Sequence, residues 1–80
     1  FNPATTISFA LPVAGIVKLS VFDITGSKVS SLLNENMTAG NHSVSFNAAG
    51  LASGVYFYRI DVNGSEGIKF TDSRKMILVK

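Results

Sequence analysis

Ser53-Gly54-Val55-Tyr56-Phe57-Tyr58-Arg59-Ile60-Asp61-Val62 is the stretch whose reading decides the fold. Its β-branched and aromatic residues favour extended backbone, and turn-forming residues flank it, Ser53-Gly54 before and Asn63-Gly64 after. Along an extended chain Tyr56, Tyr58, Ile60 and Val62 share one face, and Val55, Phe57, Arg59 and Asp61 share the other. Both faces lean hydrophobic. That pattern predicts a central strand, either partly covered on both sides or exposing Phe57.

The same period-two alternation recurs on either side. Ile7, Phe9 and Leu11 form a first inward row, and Pro12, which has no N–H to donate, ends that strand at an edge. Val17, Leu19 and Val21 form a second row with Lys18 and Ser20 facing out, until Phe22 breaks the alternation. Asp23-Ile24-Thr25-Gly26 reads as a tight hairpin turn, because the carboxylate can cap backbone N–H groups and Gly26 can take positive φ. Val29 with Leu32 or Leu33 makes the third row, its irregular spacing predicting a bulge or a strand that ends early. Ala39-Gly40-Asn41 returns the chain to a fourth strand, in which His42, Val44 and Phe46 alternate with Ser43 and Ser45. Residues 47–54 form a loop of small side chains around one apolar plug, Leu51.

Beyond the central strand, Asn63-Gly64 is the favoured pair for a two-residue hairpin, while Ser65-Glu66-Gly67 can equally lengthen the connection. Ile68 and Phe70 support a short sixth strand. Thr71-Asp72-Ser73 is read as a turn into a seventh, residues 74–79, with Met76 and Leu78 on one side and Ile77 and Val79 on the other. This last strand is expected to be well embedded, so that its loss unfolds the domain. About seven short strands without a helix favour an all-β, antiparallel two-layer sandwich, with a barrel as the alternative.

Composition sets the margins. Eighty residues make one domain, in which only about 60% of the unfolded surface can be hidden, so every apolar strand face must serve one core. Without cysteine there is neither a disulfide nor a thiolate metal site, and the redox compartment stays open. Seven Lys/Arg against five Asp/Glu give a net charge of +2, too dilute to argue for nucleic acid. No apolar run approaches the roughly 20 residues of a membrane-spanning helix. Phe1-Asn2-Pro3 does not open a signal peptide, and the chain is expected to be a domain excised from a larger protein.

No catalyst assembles from these residues. His42, the single histidine, falls in the inward register of a strand, where a packed or hydrogen-bonded role fits better than acid–base chemistry. Serines are plentiful, but none sits in a strand-to-helix nucleophile elbow. Asp23, Glu35, Asp61, Glu66 and Asp72 are scattered, and turn capping suits Asp23 and Asp72 better than a calcium loop, although a weak site between loops stays open. The glycines are dispersed among turns, not gathered over a phosphate, and no cofactor is implied. Of the aromatic residues, Phe57 and Phe22 are the candidates for an exposed stacking surface. Arg74-Lys75 ahead of Met76-Ile77-Leu78-Val79-Lys80 reads as a charged guard on a core strand, or as a terminal epitope for a receptor, and the two roles are compatible.

The order of these pieces resembles the type A C-terminal sorting domain of the type IX secretion system. The resemblance runs from Phe1-Asn2-Pro3-Ala4-Thr5-Thr6-Ile7-Ser8-Phe9 and Leu11-Pro12, through Val17-Lys18-Leu19-Ser20-Val21-Phe22-Asp23, Gly26 and Ala39-Gly40-Asn41-His42. It continues in the stretch from Leu51 to Ile60 and in Lys75-Met76-Ile77-Leu78-Val79-Lys80, and so covers nearly the whole chain. It implies an Ig-like β-sandwich and a non-catalytic address that guides upstream cargo from the periplasm, through the outer-membrane translocon and its shuttle components, to the surface or medium. A sortase-like surface protease would then remove it. It also implies that Gly54, Lys75, Met76, Ile77, Leu78, Val79 and Lys80 carry recognition: Gly54 shaping a loop, Met76 and Leu78 anchoring the strand, Lys75 and Lys80 offering charge. The segment 63–73 is longer than the family's compact hairpin. Reading the same sandwich as a structural spacer or carbohydrate-binding module is the alternative, for which a contiguous exposed aromatic strip would argue.

Overall fold

The computed structural model describes residues 4–79. Six strands follow one another: β1 (Ala4–Leu11), β2 (Gly15–Asp23), β3 (Lys28–Met37), β4 (Gly40–Asn47), β5 (Gly54–Gly64) and β6 (Lys69–Leu78). They form two antiparallel sheets, β1-β4 and β3-β2-β5-β6. The quoted stretch is β5, central as its two apolar-leaning faces required, between β2 and β6.

The inward rows meet as alternation dictates. Ile7, Leu11 and Phe46 from the two-stranded sheet pack with Val17, Leu19, Val21, Tyr56, Ile60, Val62 and Leu78 from the four-stranded one. Val17, Leu19 and Val21 are fully buried, since β2 lies between two strands and beneath the second layer. The hairpin at residues 23–26 forms as read: Asp23 Oδ1 accepts hydrogen bonds from the Thr25 and Ser27 N–H groups, both at 3.0 Å. Gly26 there takes φ 90°, open to glycine without steric penalty.

The third strand does not end early. It runs ten residues and absorbs its irregular spacing in register shifts between Leu19 and Ser20 and between Val21 and Phe22, so that Val29, Leu32 and Leu33 all reach the core margin. The longer of the two β5–β6 connections is the one adopted. Strand β5 continues through Asn63 to Gly64, and a 3-10 turn over Ser65–Gly67 follows, with Glu66 at φ 61° and Gly67 at φ 76°. A left-handed glutamate costs on the order of 1 kcal/mol, which the hydrogen bonds from Ser65 N to Ala14 O and from Gly64 N to Ile68 O help to offset.

Two expectations for the C-terminal region are corrected. Thr71-Asp72-Ser73 is not a turn: these residues pair with Asp61, Ile60 and Arg59, and one strand spans the proposed sixth and seventh. Polar residues extend here because their backbones pair along β5, and Thr71 Oγ1 adds a hydrogen bond to Asp61 Oδ1 across the ladder (2.8 Å), while Asp72 meets Arg74 two residues along (3.3 Å). Nor is the last strand embedded on both faces. It is the edge of its sheet, so Leu78 is buried while Ile77 and Val79 are 52% and 59% exposed. A polar, charged edge strand also resists pairing with other chains.

Candidate functional site

Cross-strand register brings the sequence-predicted recognition residues together. Gly54 lies opposite Leu78, Val55 opposite Ile77, Tyr56 opposite Met76 and Phe57 opposite Lys75. Loop exit and terminal motif, distant in sequence, thus form one short ladder at the end of the sheet. Within it alternation divides the labour. Leu78 is buried and Met76 packs against the core, whereas Lys75, Ile77 and Val79 face solvent. Lys80, the last of the predicted set, and the Phe1-Asn2-Pro3 motif lie outside the described residues.

Tyr56 is the contributor that sequence reading missed, having assigned it only to an inward row. Its hydroxyl donates a 2.7 Å hydrogen bond to the Ala52 carbonyl, four residues upstream. The ring is buried, so this bond ties the loop before Gly54 to the core, much as a tyrosine corner does in Ig-like sandwiches. The signal was present in the spacing: a tyrosine two residues after a loop-ending glycine is placed to reach back over the loop. Leu51 N donates to Ala48 O at 2.9 Å, and Ala48 is itself buried, so the whole loop 48–53 is held down at both ends.

The two-stranded layer is narrower than the sheet that it covers. Asp72 and Arg74 occupy inward register on β6, opposite Ile60 and Tyr58, yet both remain exposed beside a cleft of about 280 Å³ lined by Ile7, Phe9, Tyr58 and Phe70. Their ion pair is solvent-screened and contributes little to stability. On the opposite, outward face Arg59 bonds Asp61 at 3.0 Å and places its guanidinium 5.1 Å from the Phe22 ring centroid. Phe22 and Phe57 are register neighbours there, so the two aromatic candidates do sit together. They make a two-ring patch partly covered by a cation, not a strip of free ring faces.

His42 is built into the structure. Its Nε2 donates to the Thr38 carbonyl at 2.7 Å, and its ring lies against Phe9, with centroids 5.6 Å apart. Asp23 is held below the usual carboxylate range, chiefly by the Thr25 hydroxyl and then by the Ser27 N–H, which is the signature of a turn cap. Among the described residues no three His, Asp or Glu side chains gather into a set able to hold a metal ion.

Comparison with known proteins adds two findings. The family model for the secretion system C-terminal sorting domain matches residues 2–77. Among solved structures, the crystal structure of CopC from Methylosinus trichosporium OB3b is similar, with a TM-score of 0.68 at 16% identity, covering 98% of this chain and 79% of that one. At that identity the likeness speaks for the sandwich fold alone. A search of curated proteins finds no significant match.

Proposed function

Because the chain belongs to the secretion system C-terminal sorting domain family, the non-catalytic sorting signals of type IX secretion, we propose that its exposed terminal ladder is the part the machinery reads. The observation that carries this reading is the split within the terminal motif: Met76 and Leu78 hold β6 on the core while Lys75, Ile77 and Val79 stay outside. A receptor can take hold of an edge strand through its outward side chains without opening the fold. Gly54, opposite Leu78, lets the preceding loop turn into the ladder. In this account the domain rides behind folded cargo through the periplasm and is bound by the outer-membrane translocon or its shuttle components. It delivers the cargo to the surface or medium, where a sortase-like protease removes it.

The test is export of a folded reporter fused ahead of the domain in a bacterium with a working type IX system. Intact fusion is expected at the surface or in the medium, and the reporter alone in the periplasm. Ile77→Ser with Val79→Ser should lower export while circular dichroism shows the domain still folded. Periplasmic retention of the intact fusion beside an exported positive control would overturn the reading, and undiminished export of the double variant would remove the terminal ladder from it. The carbohydrate-binding reading gains no support from Phe22, since the Arg59 guanidinium lies over its ring.

A further inference from the structure

The four-stranded sheet turns one face to the core, and its other face sets aromatic residues between basic ones. Register aligns Lys28, Phe22, Phe57 and Lys75 in one transverse row across β3, β2, β5 and β6: two phenylalanines on the inner strands, a lysine at each edge. Arg59 stands in the next outward row on β5, opposite Ser20 and Ser73, and reaches back over Phe22. Val55 and Ile77 extend the apolar centre on the other side. In outward register on these four strands lie Lys18, Lys28, Arg59, Lys69 and Lys75, against Asp61 as the one carboxylate. Five cations against one anion leave a surplus of four on this face, twice the net +2 of the whole chain. Like charges held on one side of a small domain repel one another, and they create a local positive potential that a net charge of +2 conceals.

We infer that this outward face is a docking surface for a protein partner presenting an acidic rim around an apolar centre. Resting on the sorting reading, the inference extends the read surface from the terminal ladder across the sheet to Lys28 on its far edge. An apolar aromatic centre with arginine beside it and charge around it is the anatomy of a protein interface, in which the centre supplies affinity and the rim sets approach and orientation. A second copy of this chain does not fit, because a two-fold contact would set the cationic face against itself. A sugar or a nucleic-acid base stacks on free ring faces, and here the Phe22 ring has the Arg59 guanidinium above it, which leaves Phe57 as the one open ring of the row. Four strands of nine to eleven residues, about 4.8 Å apart, make a face of roughly 600 Å², the scale of an interface that forms and releases. That suits a signal which must be bound and then let go.

Lys28 separates this inference from the terminal-ladder reading, because it lies on β3 at the opposite edge from β6. In the reporter fusion, Lys28→Glu alone should lower export about fivefold or more, with the melting temperature of the domain within a few degrees of the parent, whereas Lys28→Arg should export normally. A photo-cross-linking residue at position 57 should give a protease-sensitive adduct in exporting cells, lost with Lys28→Glu and kept with Lys28→Arg. Undiminished export of the folded Lys28→Glu variant, beside a functioning parent, would overturn the docking surface and leave the sorting reading intact. An adduct that is glycan and not polypeptide would overturn the protein partner. Retention of the parent fusion itself would overturn the sorting reading, and this inference with it.

Discussion

Truncating Leu78 to alanine tests the division of labour in the terminal motif. Leu78 is 1% exposed in the common core, so removing its isobutyl group loses both transfer free energy and packing around the cavity left behind, together about 3 kcal/mol. An 80-residue domain holds roughly 4–12 kcal/mol of stability, so this single change removes a quarter or more of the total. With an unfolding entropy of about 0.17 kcal/mol/K for this length, the melting temperature should fall by roughly 15–20 °C. Ile77→Ala, one residue away but 52% exposed, deletes side chain that is already half in water, and should cost no more than about 1 kcal/mol, or roughly 6 °C. Thermal and urea unfolding followed by circular dichroism measure both variants. Equal losses, or a larger loss for Ile77→Ala, would refute the one-sided docking of β6 and with it the separation of anchoring from read residues.

Gly15→Ala should destabilise by about 1–3 kcal/mol in urea titration, because its Cβ would fall 2.5 Å from Gly64 Cα and 2.6 Å from the Asn63 carbonyl oxygen, whereas Gly50→Ala, with nothing within 4 Å, should be nearly neutral. A neutral Gly15→Ala would show that β2 and β5 can separate there at no cost. Tyr56→Phe keeps the buried ring but loses the bond to Ala52, and should cost about 1 kcal/mol while raising amide exchange in residues 48–53. Unchanged exchange would dismiss Tyr56 as the loop's clamp. Asp23 has its folded pKa depressed by the Thr25 hydroxyl and the Ser27 N–H, so its contribution is present above the unfolded carboxylate pKa and is lost as pH falls through the lower folded value. The stability gap between the parent and Asp23→Asn should therefore narrow as pH drops below about 4. A gap constant with pH would mean that the cap works without its charge.

Sequence alone determined what local physical chemistry can determine. Alternation named the rows that meet in the core, from Ile7, Phe9 and Leu11 to Tyr56, Tyr58, Ile60 and Val62, because a strand's period of two is a property of the backbone itself. Turn chemistry located the Asp23–Gly26 hairpin, and the order of motifs was sufficient to suggest the family. Tertiary structure decided everything that depends on a neighbour. Thr71-Asp72-Ser73 carries turn residues, yet pairing with Asp61, Ile60 and Arg59 overrides that preference. Val55, Ile77 and Val79 look alike in sequence, but Val55 lies on a central strand and is half-buried, whereas Ile77 and Val79, at and beyond the end of the edge strand, are exposed. The row of Lys28, Phe22, Phe57 and Lys75 spans 53 positions of chain, from Phe22 to Lys75, and exists only because two bulges, a hairpin and a long connection set the register of four strands together. Period two says which way a side chain points. Which side chains stand beside it is settled by non-local hydrogen bonding and by how much of one sheet the other can cover.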